Sequence, residues 1–103
     1  LASSAASDVY KRQGSGDCYV MAATFYWMAK VAGYDAHYVK GYFQKSGGKK
    51  GAHAWVEIDQ KVNGKKKTYV YDPNFQKEYK LNGYKLTYGA KRTLKYVNYK
   101  RVN

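Results

Sequence analysis

The chain has 103 residues, enough for one small domain with a single core, and its 45% apolar and 17% aromatic content excludes disorder for most of its length. Nineteen basic residues against seven acidic ones give a formal charge of +12, which attracts polyanions such as nucleic acid, anionic lipid headgroups or an acidic cell-wall polymer. The single cysteine excludes an internal disulfide and a cysteine-rich zinc site, and no run is long and apolar enough to span a bilayer as a helix.

The chain begins at Leu1 rather than Met, as expected of a processed product, a fragment or an expression product. Residues 1–13 are small, polar and aperiodic, and they lack the hydrophobic core of a signal peptide. They are expected to be poorly ordered or extraneous, with the folded domain spanning residues 14–103. Asp17 reads as the N-cap of a helix over Cys18 to Val31, closed by Gly33 as the residue after its C-cap. Only Thr24 and Lys30 are clearly polar in that stretch, so the helix is expected to run through the middle of the fold. Asp35 to Phe43 is strand-like, and Gln44 to Gly51 is a Gly/Lys loop without the spacing of a phosphate-binding motif. His53 to Asp59 and Thr68 to Asp72 form two strands around Asn63-Gly64, a strong hairpin signal. Beyond Pro73, short Tyr/Lys strands are expected near Glu78 to Leu81, Lys85 to Tyr88 and Leu94 to Arg101. The fold class is α+β: an apolar helix carrying the cysteine, packed centrally on an antiparallel β-sheet.

Three blocks carry chemistry: Gly16-Asp17-Cys18-Tyr19, Ala52-His53-Ala54-Trp55 and Tyr71-Asp72-Pro73. A thiol is a nucleophile only as thiolate, which a nearby base or a helix N-terminus favours, and the free N–H groups of a first helical turn can hold an oxyanion. A buried, inert cysteine is the plainer reading of Cys18. Its place at a Gly-Ser-Gly-Asp junction favours exposure instead. With an even-numbered loop centred on Asn63-Gly64, Trp55 stands opposite Asp72, and His53 and Asp72 become diagonal neighbours on one sheet face. Taken singly, His53 reads equally well as a strand histidine and Asp72 as the turn residue before Pro73. Their joint placement favours a Cys–His–Asp constellation. His37, with only Asp35 beside it, reads as structural or surface. A metal site drawn from Cys18, His37, His53 and Asp72 has no recognised ligand spacing, so no metal and no other cofactor is expected. The positive residues are scattered over loops and alternate strand positions, and no nucleic-acid-binding motif accompanies them, so specific nucleic-acid recognition is not expected.

These blocks, with Gly33-Tyr34-x-Ala36 leading to Val39-x-Gly41-Tyr42, resemble the transglutaminase-like superfamily of papain-related cysteine enzymes. The resemblance covers about Gly14 to Asn74 and is to the compact bacterial and archaeal members. It implies a papain-like core in which Cys18 is the nucleophile, His53 the base and Asp72 its orienter. It also implies a protein or peptide substrate, and an extracellular or cell-surface location. Asp17 and Tyr19 stand where the animal cross-linking enzymes carry Gln and Trp, and this departure speaks against cross-linking and calcium dependence. The expected activity is that of a cysteine protease or amidase, with protein-glutamine acyl transfer as the less favoured variant. Gln13 and Tyr19 are candidate oxyanion donors, and Trp55 is a candidate substrate neighbour. The rival expectation is a basic, tyrosine-rich surface domain that binds an anionic polymer or a protein and carries a vestigial site.

Overall fold

The structure, a computed structural model, describes residues 16–103, so the expectations for residues 1–13, Gln13 included, lie outside the described residues. Helix α1 (Asp17–Val31) is followed by strands β1 (Asp35–Gln44), β2 (Lys50–Val62) and β3 (Lys65–Tyr71). A short helix α2 (Pro73–Tyr79) and a last strand β4 (Lys95–Arg101) complete the described elements. The four strands form one antiparallel sheet in the order β3-β2-β1-β4. The class is α+β with an antiparallel sheet, as expected.

The hairpin between β2 and β3 turns on Asn63 and Gly64, both at positive φ (53° and 79°), as a two-residue hairpin turn requires. Val62 therefore pairs with Lys65, and the register runs back to Val56 opposite Tyr71. Because side chains alternate across a strand, β2 has two different faces. Ala54, Val56 and Ile58 join Ala36 and Tyr38 beneath α1, against Ala22, Ala23, Tyr26 and Ala29. Trp55 faces the other way and packs with Val39, Val70 and Tyr96. Small residues on the inner side of α1 let its backbone lie close to the sheet. Its outer side leaves Val20, Met28 and Val31 exposed. The helix is thus a cover on one face of the sheet rather than a rod through the middle, because its apolar residues outnumber the partners one face can offer.

Two sequence expectations fail after Tyr71. The strand expected at Glu78 to Leu81 is instead the end of α2, where Lys80 closes the helix in the left-handed conformation (φ 56°). Lys85 to Tyr88 contributes only one isolated bridge, Leu86 with Val70. β4 lies against β1 with a register shift between Lys40 and Tyr42. Gly41 sits at that shift because a Cβ there would come within 2.5 Å of the Tyr99 Cβ, so only glycine lets β4 pass.

Candidate active site

Pairing between β2 and β3 stops at Val56 and Tyr71, so the β3-side edge of β2 carries no strand partner at His53. The chain leaves the sheet there because Asp72 and Pro73 start α2, with Asp72 as N-cap and Pro73 in the first turn, where its missing N–H costs nothing. The start of α1 meets α2 in the same region. Asn74 Nδ2 lies 3.9 Å from Met21 Sδ, and Lys77 Nζ lies 3.6 Å from Asp17 Oδ2.

Asp72 is fully buried and receives three donors on two oxygens. Oδ1 accepts the Phe75 N–H at 3.0 Å, and this bond caps α2. Oδ2 lies 2.7 Å from His53 Nε2 and accepts the Tyr96 hydroxyl at 2.6 Å. The backbone of Asp72 is also fixed, its N–H donating to Gly83 O at 2.7 Å. A Cβ on Gly83 would lie 2.3 Å from Asp72 O, so glycine is required for this strap to close over the carboxylate. The structural and chemical readings of Asp72 are therefore compatible: one oxygen caps a helix and the other meets the imidazole.

His53 is 3% exposed and walled by Phe43, Trp55 and Tyr96, whose ring centroids lie 5.4, 5.7 and 6.3 Å away. Burial alone would pull the imidazole pKa down. Hydrogen bonding to Asp72 and to Cys18, with the charges of both, outweighs it and pushes the pKa up to about 9. That direction favours the imidazolium over the neutral ring. Nε2 is committed to Asp72, which leaves Nδ1 as the nitrogen available to Cys18. Tyr96 has its own pKa pushed up by burial and by the neighbouring Asp72 charge, so it remains a donor to that carboxylate.

The raised imidazole pKa carries a linkage consequence. A group whose pKa rises on folding from 6.5 to about 9 contributes stability that is fully present below the unfolded value and lost as pH rises through the folded one. Denaturant unfolding of the wild-type protein should therefore show stability falling between about pH 7 and pH 10. His53→Ala should remove most of that slope. A slope unchanged in the variant would assign it to another group.

Cys18 is half-buried, at the second position of α1. The N-cap is Gly16 rather than Asp17, and it makes no side-chain cap bond. Asp17 lies in the first turn and reaches toward Lys77. Among the described residues the first backbone bond of the helix runs from Val20 N to Gly16 O, and the N–H groups of Asp17, Cys18 and Tyr19 lie in the turn before it. Tyr19 presents its carbonyl to the Tyr38 hydroxyl at 3.5 Å, and its side chain packs partly against the core. Trp55, the candidate substrate neighbour, is fully buried, donates Nε1–H to the Tyr88 hydroxyl at 2.8 Å, and lies beside the imidazole. Tyr96 is a partner that sequence reasoning missed. Nothing in the sequence marks it out among thirteen tyrosines.

A family profile for the transglutaminase-like superfamily matches residues 2–73. The chain belongs to the transglutaminase-like superfamily. No curated protein sequence and no solved structure gives a significant match. In this transglutaminase-like domain the matched span takes in Cys18, His53 and Asp72, while Tyr96 and the strap at Gly83 come from the segment beyond it.

Proposed function

We propose that this transglutaminase-like domain is a cysteine-dependent acyl-transfer enzyme that hydrolyses peptide or side-chain amide bonds. The reading rests on a buried imidazole held by Asp72 at 2.7 Å, with the one thiol of the chain, Cys18, among the groups that push its pKa up to about 9. In this reading Cys18 Sγ, as thiolate, attacks the carbonyl carbon, and the carbonyl oxygen takes the negative charge. The N–H groups of the first turn of α1 receive that charge. As the C–N bond breaks, His53 gives its Nδ1 proton to the leaving amine and a Cys18 thioester remains. Water then attacks the thioester, His53 takes its proton, and the acid leaves as the thiol is restored. Asp72 holds the tautomer with the proton on Nε2 throughout, and Tyr96 holds Asp72.

Hydrolysis is favoured over amine transfer because Asp17 and Tyr19 flank the thiol in place of the residues of the cross-linking enzymes. The excess of basic side chains supports contact with an anionic polymer such as one in a cell wall, and a surface location for the parent protein. The test is incubation with peptide amides in the presence and absence of a primary amine, followed by mass spectrometry. Water-derived acid products, unchanged by the amine and abolished by alkylation of Cys18, are expected. Amine incorporation would make the domain a transamidase, and product formation that survives alkylation would remove Cys18 from the chemistry.

A further inference from the structure

A second polar cluster lies at the other end of β1 and β2, on strand positions that the proposed chemistry does not use. Asp35 and His37 are two residues apart on β1 and so share a face, and Asp59 on β2 stands directly opposite Asp35. Asp35 Oδ1 lies 2.9 Å from His37 Nε2, and Asp59 Oδ2 lies 3.5 Å from it. One ligand atom from each of the three residues falls within 4.8 Å of the others. His37 Nδ1 lies 2.9 Å from the main-chain oxygen of Asn103. With Nδ1 engaged by that oxygen, Nε2 is the ring nitrogen that faces the two carboxylates.

Within the protein that arrangement is unbalanced. His37 Nε2 and Asp59 Oδ2 are both buried, and neither makes a hydrogen bond among the described residues. Asp59 has a side chain only 2% exposed. Its other oxygen is satisfied, accepting Thr68 Oγ1–H at 2.6 Å and Arg101 Nη2–H at 2.7 Å. Among the described residues the lysine or arginine facing Oδ2 is Lys66, its Nζ at 3.4 Å on a side chain 67% exposed. An imidazole nitrogen and two carboxylate oxygens converging on one point, with the ring anchored from behind, is the donor set that a divalent cation takes by displacing any proton on that nitrogen. A tetrahedral ion with bonds of about 2.0–2.2 Å needs ligand atoms roughly 3.3–3.5 Å apart. The 2.9 and 3.5 Å separations from His37 Nε2 bracket or approach that spacing, and the two carboxylate oxygens lie within 4.8 Å of each other.

We propose that Asp35, His37 and Asp59 bind a divalent cation of the zinc class, with water in the fourth position. Imidazole as one of three protein donors selects first-row transition ions over magnesium and calcium. The ion would tie β1 to β2 and, through His37, to the segment after β4. Sequence spacing hides the site: Asp59 lies far from Asp35 along the chain, and only the strand register brings them together.

The test is isothermal titration with zinc chloride at pH 7.5 on the Cys18→Ala protein, because a thiol–imidazole pair would itself take zinc. One equivalent is expected to bind, with magnesium and calcium binding far more weakly. His37→Gln and Asp59→Asn should each weaken binding by more than about tenfold. Lys66→Met, which removes the competing ammonium, should tighten it. Zinc should raise the melting temperature of the Cys18→Ala protein and leave that of its His37→Gln derivative unchanged. If Asp59→Asn fails to fold, His37→Gln decides alone. Absence of saturable uptake, uptake that survives His37→Gln, uptake abolished by His53→Ala, or a preference for calcium would each overturn the proposal.

Discussion

Cys18→Ala is expected to leave a folded protein that forms no acyl intermediate and turns over no amide substrate. The side chain is half-buried at the start of α1 and belongs to neither core cluster, so its loss removes little packing. The chain has no second thiol, so the nucleophile cannot be replaced. Removing a covalent nucleophile from such a site costs on the order of 10⁶ in turnover. Intact-mass analysis after incubation with substrate should show the acyl adduct on the wild-type chain and none on the variant. Circular dichroism and melting temperature close to wild type would establish that the loss is chemical. An adduct on Cys18→Ala would place the nucleophile elsewhere.

Asp72→Asn is expected to lower turnover by roughly 10²–10⁴-fold while the fold persists. The argument is one of counting donors. Asp72 accepts from the Phe75 N–H on one oxygen and meets both His53 Nε2 and the Tyr96 hydroxyl on the other. Asparagine offers a single acceptor oxygen. If that oxygen keeps the helix cap, its amide N–H groups face His53 Nε2, which must then accept. The imidazole proton moves to Nδ1, and the nitrogen beside Cys18 can no longer take a proton. Loss of the carboxylate also removes the partner that holds the imidazole charged, so the pKa of about 9 should fall in the variant. Histidine resonances followed by NMR across the neutral range would check this directly. A titration unchanged from wild type would show that Asp72 acts only as the cap of α2.

How much of this was legible before the fold was known follows from the physics of each signal. Asn63-Gly64 demands positive φ at two successive residues, which admits very few turns, so it set the register that brings Asp72 beside His53. The start of α1 was legible to within a residue, although Gly16 rather than Asp17 proved to be its cap. Asp72-Pro73 reads as a turn before another strand, yet an N-cap acid followed by proline is equally a helix start, and α2 is what forms. The burial of Trp55 was hidden because an aromatic beside a histidine serves a core as well as a cleft. Tyr96 and Asp59 acquire their roles only through pairing between distant strands, which no local pattern encodes.

The central claim is that Cys18, His53 and Asp72 act as one unit. The rate of Cys18 alkylation by an electrophilic probe at neutral pH tests it most directly, measured in the wild-type protein, His53→Ala, Asp72→Asn and the double variant. Groups acting together are non-additive, so the double variant should react little more slowly than His53→Ala alone, and each single variant should be at least about tenfold slower than wild type. Losses that add in the double variant, or a His53→Ala protein that labels as fast as wild type, would contradict the account.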